Sequence, residues 1–132
     1  MSDAPPELSG TAPIVAVRDV MVSVAFYETC LGFERALYNP DHGYALMRRG
    51  NLMVAFINAA DETALNATAN NVSAQFWVDD VADYWNEIKG RFVDHPDLLP
   101  ISPVERDYGA RELHVKDPDG FLMFFTDLKH SA

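Results

Sequence analysis

The chain has 132 residues, 48% hydrophobic and 23% charged, with 20 acidic against 10 basic side chains and a formal net charge of −10. That length holds one domain with a proper core and leaves little for a second. Dispersed Lys and Arg argue against a nucleic-acid groove, and no apolar stretch reaches the roughly 18 residues of a membrane span.

The acidity serves solubility or, on a sharper reading, draws a cationic ligand. The single cysteine, Cys30, rules out an internal disulfide framework and fits a reducing cytoplasm. Residues 1–11 are polar, carry Pro5-Pro6 and read as a flexible lead-in without the basic-then-apolar pattern of a secretory signal.

The first element is a β-type run, Ile14–Arg18. Asp19 then caps a helix whose apolar positions include Val22, Phe26, Tyr27, Cys30 and Leu31, ended by Gly32. Weaker strands follow. Gly43–Arg49 and Leu52–Ile57 form a hairpin through Gly50-Asn51. The Ala- and Asn-rich residues 59–71 read as an exposed linker.

A second β-type run, Val72–Asp79, precedes Asp80, which caps a helix burying Val81, Tyr84, Trp85 and Ile88 and ended by Gly90. Val93–Pro103 carries three prolines and reads as loop. Arg111–Lys116 and Phe121–Thr126 close the chain as a hairpin through Asp-Pro-Asp-Gly at 117–120, where proline presets one angle and glycine permits a positive φ.

Laid over each other, the halves match. Val17-Arg18-Asp19 falls on Val78-Asp79-Asp80, Phe26-Tyr27 on Tyr84-Trp85, Cys30 on Ile88 and Gly32 on Gly90. The order strand–helix–three strands occurs twice, which predicts an α+β domain over 12–132 with two helices and about eight strands. Repeat one spans 12–58 and repeat two 72–128. The two βαβββ repeats curl a mixed sheet into a cup.

Several segments carry a family resemblance: Val17-Arg18-Asp19-Val20, Ala25-Phe26-Tyr27-Glu28 with Leu31-Gly32-Phe33-Glu34, Gly43 through Gly50, and Asp107 through Glu112 with Asp117-Pro118-Asp119-Gly120. In this order and spacing they resemble the vicinal-oxygen-chelate superfamily of glyoxalases, extradiol dioxygenases and bleomycin-resistance proteins. Arg49 through Met53, and Tyr108-Gly109 before Arg111-Glu112, resemble the bleomycin-resistance branch most. The resemblance implies the glyoxalase/bleomycin-resistance fold and a homodimer whose clefts bind cationic drugs such as glycopeptide antibiotics, without metal or catalysis.

Catalytic members of that superfamily hold a divalent metal at four equivalent slots, one on the first and last strand of each repeat. Here the resemblance places those slots at Ala12, Ala55, Ser73 and Phe124, a poor donor set. That implies no metal and no cofactor. The four histidines, His42, His95, His114 and His130, are scattered. The first two and His130 read as surface residues.

Period-two alternation assigns faces. Phe124, Leu122 and Thr126 point into the cup with Ser73, Gln75 and Trp77, and with Met53, Ala55, Ile57 and Ile14 in the other half. Leu113 and Val115 face the core, which sends Glu112 and His114 into the cup, roughly 7 Å apart by backbone repeat.

Candidate ligand-binding residues are therefore Trp77, Tyr108, Glu112, His114, Phe124, Met53 and Ile57. Trp77 either contacts ligand or fills an interface. Tyr108 either stacks on a flat ligand or closes a turn. Glu112 and His114 are the only catalytic candidates, as a general base pair; orienting a ligand and a purely structural role are the alternatives. Cys30 sits on the buried helical face, and no nucleophile elbow or phosphate loop occurs.

The leading expectation is a metal-independent, cytoplasmic small-molecule binding protein with no nucleic-acid or membrane partner. The rivals are a lyase, isomerase or dioxygenase-like enzyme using Glu112 and His114 or an unrecognised metal, and a dimeric module whose cup is filled by Phe124 and its neighbours.

Overall fold

A computed structural model describes residues 3–128. Repeat one comprises β1 (Ile14–Val17), α1 (Val20–Thr29), β2 (Glu34–Asn39), β3 (Tyr44–Arg49) and β4 (Leu52–Asn58). Helix α2 (Glu62–Asn71) leads to repeat two: β5 (Ser73–Trp77), α3 (Val81–Ile88), β6 (Val104–Glu105), β7 (Arg111–Lys116) and β8 (Leu122–Asp127). Short 3₁₀ turns occupy Pro40–His42 and Pro96–Leu98.

Each repeat forms its own four-stranded mixed sheet, in the orders β1-β4-β3-β2 and β5-β8-β7-β6. The first and last strand of each repeat pair in parallel, Ile14 opposite Ala55 and Gln75 opposite Phe124. The α+β class, the two repeats and the eight strands follow the sequence reading, and every shared boundary lies within two residues of it.

One element departs from it. Residues 59–71, read as an exposed linker, contain α2. Asp61 caps that helix by accepting from the Ala64 amide at 2.9 Å, and alanines supply propensity. Its apolar face is little more than Leu65, 7% exposed, too narrow to register as a period among so many Asn and Thr. Val22, counted with the apolar face of α1, is exposed, and buried Ser23 stands beside it instead.

The core explains why α1 is apolar on most sides. Tyr27 packs edge-on against Phe33 and Phe56 of its own repeat, while Phe26 packs against Phe92 and His95 of the other. The more amphipathic α3 buries Val81, Tyr84 and Ile88 on one side. The junction is reciprocal. The β7–β8 turn docks on α1, where Tyr27 donates its hydroxyl to Asp117 at 3.0 Å and the Arg18 amide donates to Asp119 at 3.2 Å. Arg49, at the β3–β4 turn, forms a two-bond pair with Glu87 of α3, one bond 2.7 Å long, and Tyr84 donates to the Leu31 carbonyl at 2.8 Å.

With helices and turns packed between the repeats, the opposite sheet faces are left partly open. Ile14, Leu37 and Ile57 stand exposed on the first sheet, Trp77 and Val104 on the second.

Candidate functional site

The two faces differ in chemistry. On the first, register aligns Leu37, Leu46, Ala55 and Ile14 across β2-β3-β4-β1, an apolar row. On the second, it aligns Val104, Glu112, Thr126 and Trp77 across β6-β7-β8-β5, with His114, Phe124 and Gln75 in the neighbouring row. The alternation that assigned these side chains to the cup from sequence is the one the strands adopt.

Glu112 is the centre of the polar cluster and is 7% exposed. Its Oε1 accepts from Arg106 Nε at 2.9 Å and lies 3.2 Å from His114 Nε2; its Oε2 accepts from the Tyr108 hydroxyl at 2.6 Å. Burial works against the charge of Glu112, but the bonds from Tyr108, His114 and Arg106 outweigh it and hold the carboxyl below its usual range. The bond to Glu112 in turn raises the Tyr108 hydroxyl.

His114 Nε2 also lies 3.2 Å from Arg106 Nη2. An arginine can only donate, so this nitrogen either accepts from Arg106 or, carrying a proton, donates to Glu112. Arg106 thus competes for the imidazole nitrogen that a carboxylate–imidazole relay would use. A low-pKa carboxylate surrounded by donors is also a weak base at neutral pH. The arrangement is built to hold charge in place.

Several cavities adjoin the second sheet. One of about 220 Å³ is lined by Ile101, Ser102, Val104, Arg106, Glu112 and His114. Another of about 320 Å³ also touches His114 and is lined by Asp97–Pro100, Lys116 and Leu122. The largest of these, about 730 Å³, is lined by residues 11–13, residues 51–53 and β5, with Met53 and Trp77 among them. Trp77 also borders a cavity of about 450 Å³ with Arg49 and Tyr84.

The seven predicted site residues therefore do not share one pocket. Glu112, His114 and Tyr108 form one cluster, with Phe124 edge-on to His114 at 4.6 Å between ring centres. Trp77 and Met53 flank a separate opening, and Ile57 stands on the other sheet. Of the remaining histidines, His42 is exposed in the 3₁₀ turn and bonded to Asn39, whereas His95, read as a surface residue, is half-buried against Phe26. His130 lies outside the described residues.

Arg106 was missed in the sequence although a signal existed. It lies two residues beyond Val104, on the same face of a strand extended by alternation. The proline-rich stretch hid it, because β6 is only two residues long where β2 has six.

A resident metal does not fit the donor set. Ala55 and Phe124 are apolar, Ser73 is neutral, and Ala12 precedes β1. Their register partners Ile14, Gln75 and Leu122 add only an amide. Among the described residues no three His, Cys, Asp or Glu side chains gather to hold a metal ion. Nor, among them, is any helix long and apolar enough to cross a membrane.

A sequence profile of the Glyoxalase/Bleomycin resistance protein/Dioxygenase superfamily matches residues 11–125, and the chain belongs to that superfamily. Among solved structures it is similar to a bleomycin-binding protein from bleomycin-producing Streptomyces verticillus, complexed with copper(II)-bleomycin. The identity is 25%, the match covers 93% of this chain and 98% of that one, and the TM-score is 0.73. It shares its fold with the bleomycin resistance determinant encoded on the transposon Tn5, at 24% identity, 91% and 98% coverage and a TM-score of 0.72. No curated protein matches the chain in sequence.

Proposed function

We propose that the protein binds a flat, cationic organic molecule in its concave faces, in the manner of bleomycin-binding proteins, without a metal, without catalysis, and as a cytoplasmic homodimer. The observation that carries this reading is the row from Trp77 through Thr126 to Glu112. Trp77, 57% exposed on an edge strand, presents an indole wall at one end, and a near-buried carboxylate stands at the other. They border separate cavities two strand spacings, roughly 10 Å, apart, so a ligand of this kind would lie across the sheet face and reach both rather than fill either one. Sites of this kind are apolar clefts with a few placed polar groups.

The same reading accounts for the exposed Ile14, Leu37 and Ile57. A monomer rarely leaves so many large apolar side chains on one open face, and a second copy would cover them. The occupied hydrogen-bonding capacity of Glu112 weighs against the enzymatic alternative.

Calorimetric titration with copper-free bleomycin and a panel of flat cationic aromatics, in EDTA, tests the proposal. Binding is expected to survive the chelator, and Trp77→Ala to weaken it by about thirtyfold. Silence across the panel, or a stoichiometric tightly bound ion required for binding, overturns it. Sedimentation equilibrium reads the dimer.

A further inference from the structure

Glu112 already holds a cation, and that cation belongs to the protein. Arg106 and Tyr108, which clasp its two oxygens, both come from the tight turn between β6 and β7. There the Arg106 amide donates to the Ala110 carbonyl at 2.8 Å, and Gly109 adopts φ 86°. The two partners of the ion pair are unequal: the Glu112 side chain is 8% exposed and Arg106 37%. Arg106 has room to turn into solvent, while Glu112, fixed in β7, cannot follow. Left alone in the cup, its carboxylate would be an uncompensated near-buried charge.

We propose that Arg106 is a self-ligand, occupying on Glu112 a subsite for an amidinium or guanidinium group, which such a ligand takes by exchange. The inference deepens the proposed function and rests on it. Exchange of one planar cation for another leaves Glu112 paired throughout, so entry escapes the desolvation penalty that an uncharged or anionic group would impose. The 220 Å³ cavity that Arg106 borders gives the incoming group its space, with Ile101 and Val104 as apolar walls and His114 at the far side. Arg106 therefore sets both the selectivity and a fixed competition that every ligand must overcome. Removing it raises the fraction of protein competent to bind, and apparent affinity follows that fraction.

Benzamidine, a flat aromatic amidinium, is the probe. In calorimetry Arg106→Ala is expected to bind it about tenfold or more tighter than the wild type, and adding Glu112→Gln to that variant to abolish the gain. An Arg106→Ala protein that is folded by circular dichroism yet binds benzamidine no better than the wild type overturns the proposal. Should that variant not fold, the wild type decides by NMR: the Arg106 Nε–H resonance is expected to leave its hydrogen-bonded position as benzamidine is added. A resonance unmoved at millimolar benzamidine overturns the exchange. If bleomycin binds the wild type and these experiments fail, only the self-ligand is lost; if benzamidine behaves as stated while neither bleomycin nor the larger aromatics bind, the bleomycin-like, drug-sized site is what fails.

Discussion

Tyr27 of the first repeat donates its hydroxyl to Asp117 of the second at 3.0 Å, in a site where Asp117 is 1% exposed. The other oxygen of Asp117 accepts from the amides of Asp119 and Phe121. Burial outweighs these three bonds and pushes the carboxyl up to about 6. The folded state thus favours the protonated acid. Relative to an ordinary aspartate, this contribution is fully present below about pH 4 and is lost as pH rises through 6. Asp117→Asn, which keeps the shape and an acceptor for the amides, is expected to match the wild type near pH 4 and exceed it by up to about 3 kcal/mol at pH 7.5. Urea unfolding at the two pH values measures the difference; a less stable variant at pH 7.5 would show that the charged bonds win.

Glu112 runs the opposite way. Its folded carboxyl is held below the usual range, so its contribution is present at neutral pH and lost on acidification below about 4.3. Tyr108→Phe removes the 2.6 Å donor. We expect a small loss of stability at pH 7 that shrinks toward zero below pH 4. Carbon-detected NMR of the Glu112 carboxyl should show its titration moving upward in the variant. A pH-independent loss would mean that the ring, not the hydroxyl, supports the turn.

Two glycines with positive φ separate backbone strain from crowding. A Cβ at Gly120, φ +89°, would come within 3.2 Å of the Ala69 Cβ on α2. At Gly50, φ +56°, it would meet nothing. Gly120→Ala is expected to cost about 2 kcal/mol and Gly50→Ala about 1, by thermal unfolding. Equal costs would mean that α2 yields easily.

Phe26 touches both repeats and is fully buried. Phe26→Ala is expected to cost about 3–5 kcal/mol. Unfolding monitored separately by tryptophan fluorescence and far-ultraviolet circular dichroism should stay coincident. Transitions that separate would show the repeats melting independently.

How much of this was legible follows from which signals are local. The repeats, strand faces and turn at 117–120 were visible because period-two alternation, capping aspartates and glycine punctuation each act within a few residues. Helix α2 was not, because one buried leucine makes no period. The clasp on Glu112 was half visible: alternation sent Glu112 and His114 to one face, but Arg106 reaches them from a turn whose strand is too short to declare itself. Nor could alternation show that Trp77 and Glu112 border different cavities, since that depends on how far apart register sets two residues of one row.

The reciprocal docking of turns on helices has a consequence for the duplicated architecture itself. Each half carries a helix whose outer surface is finished only by the other half's last turn: Tyr27 needs Asp117, and Glu87 needs Arg49. Severed at the exposed residues 60 and 61, the halves would be complementary fragments, each with its partner's missing contacts and neither complete alone. The repeated architecture is thus a lock in which both parts hold the same key.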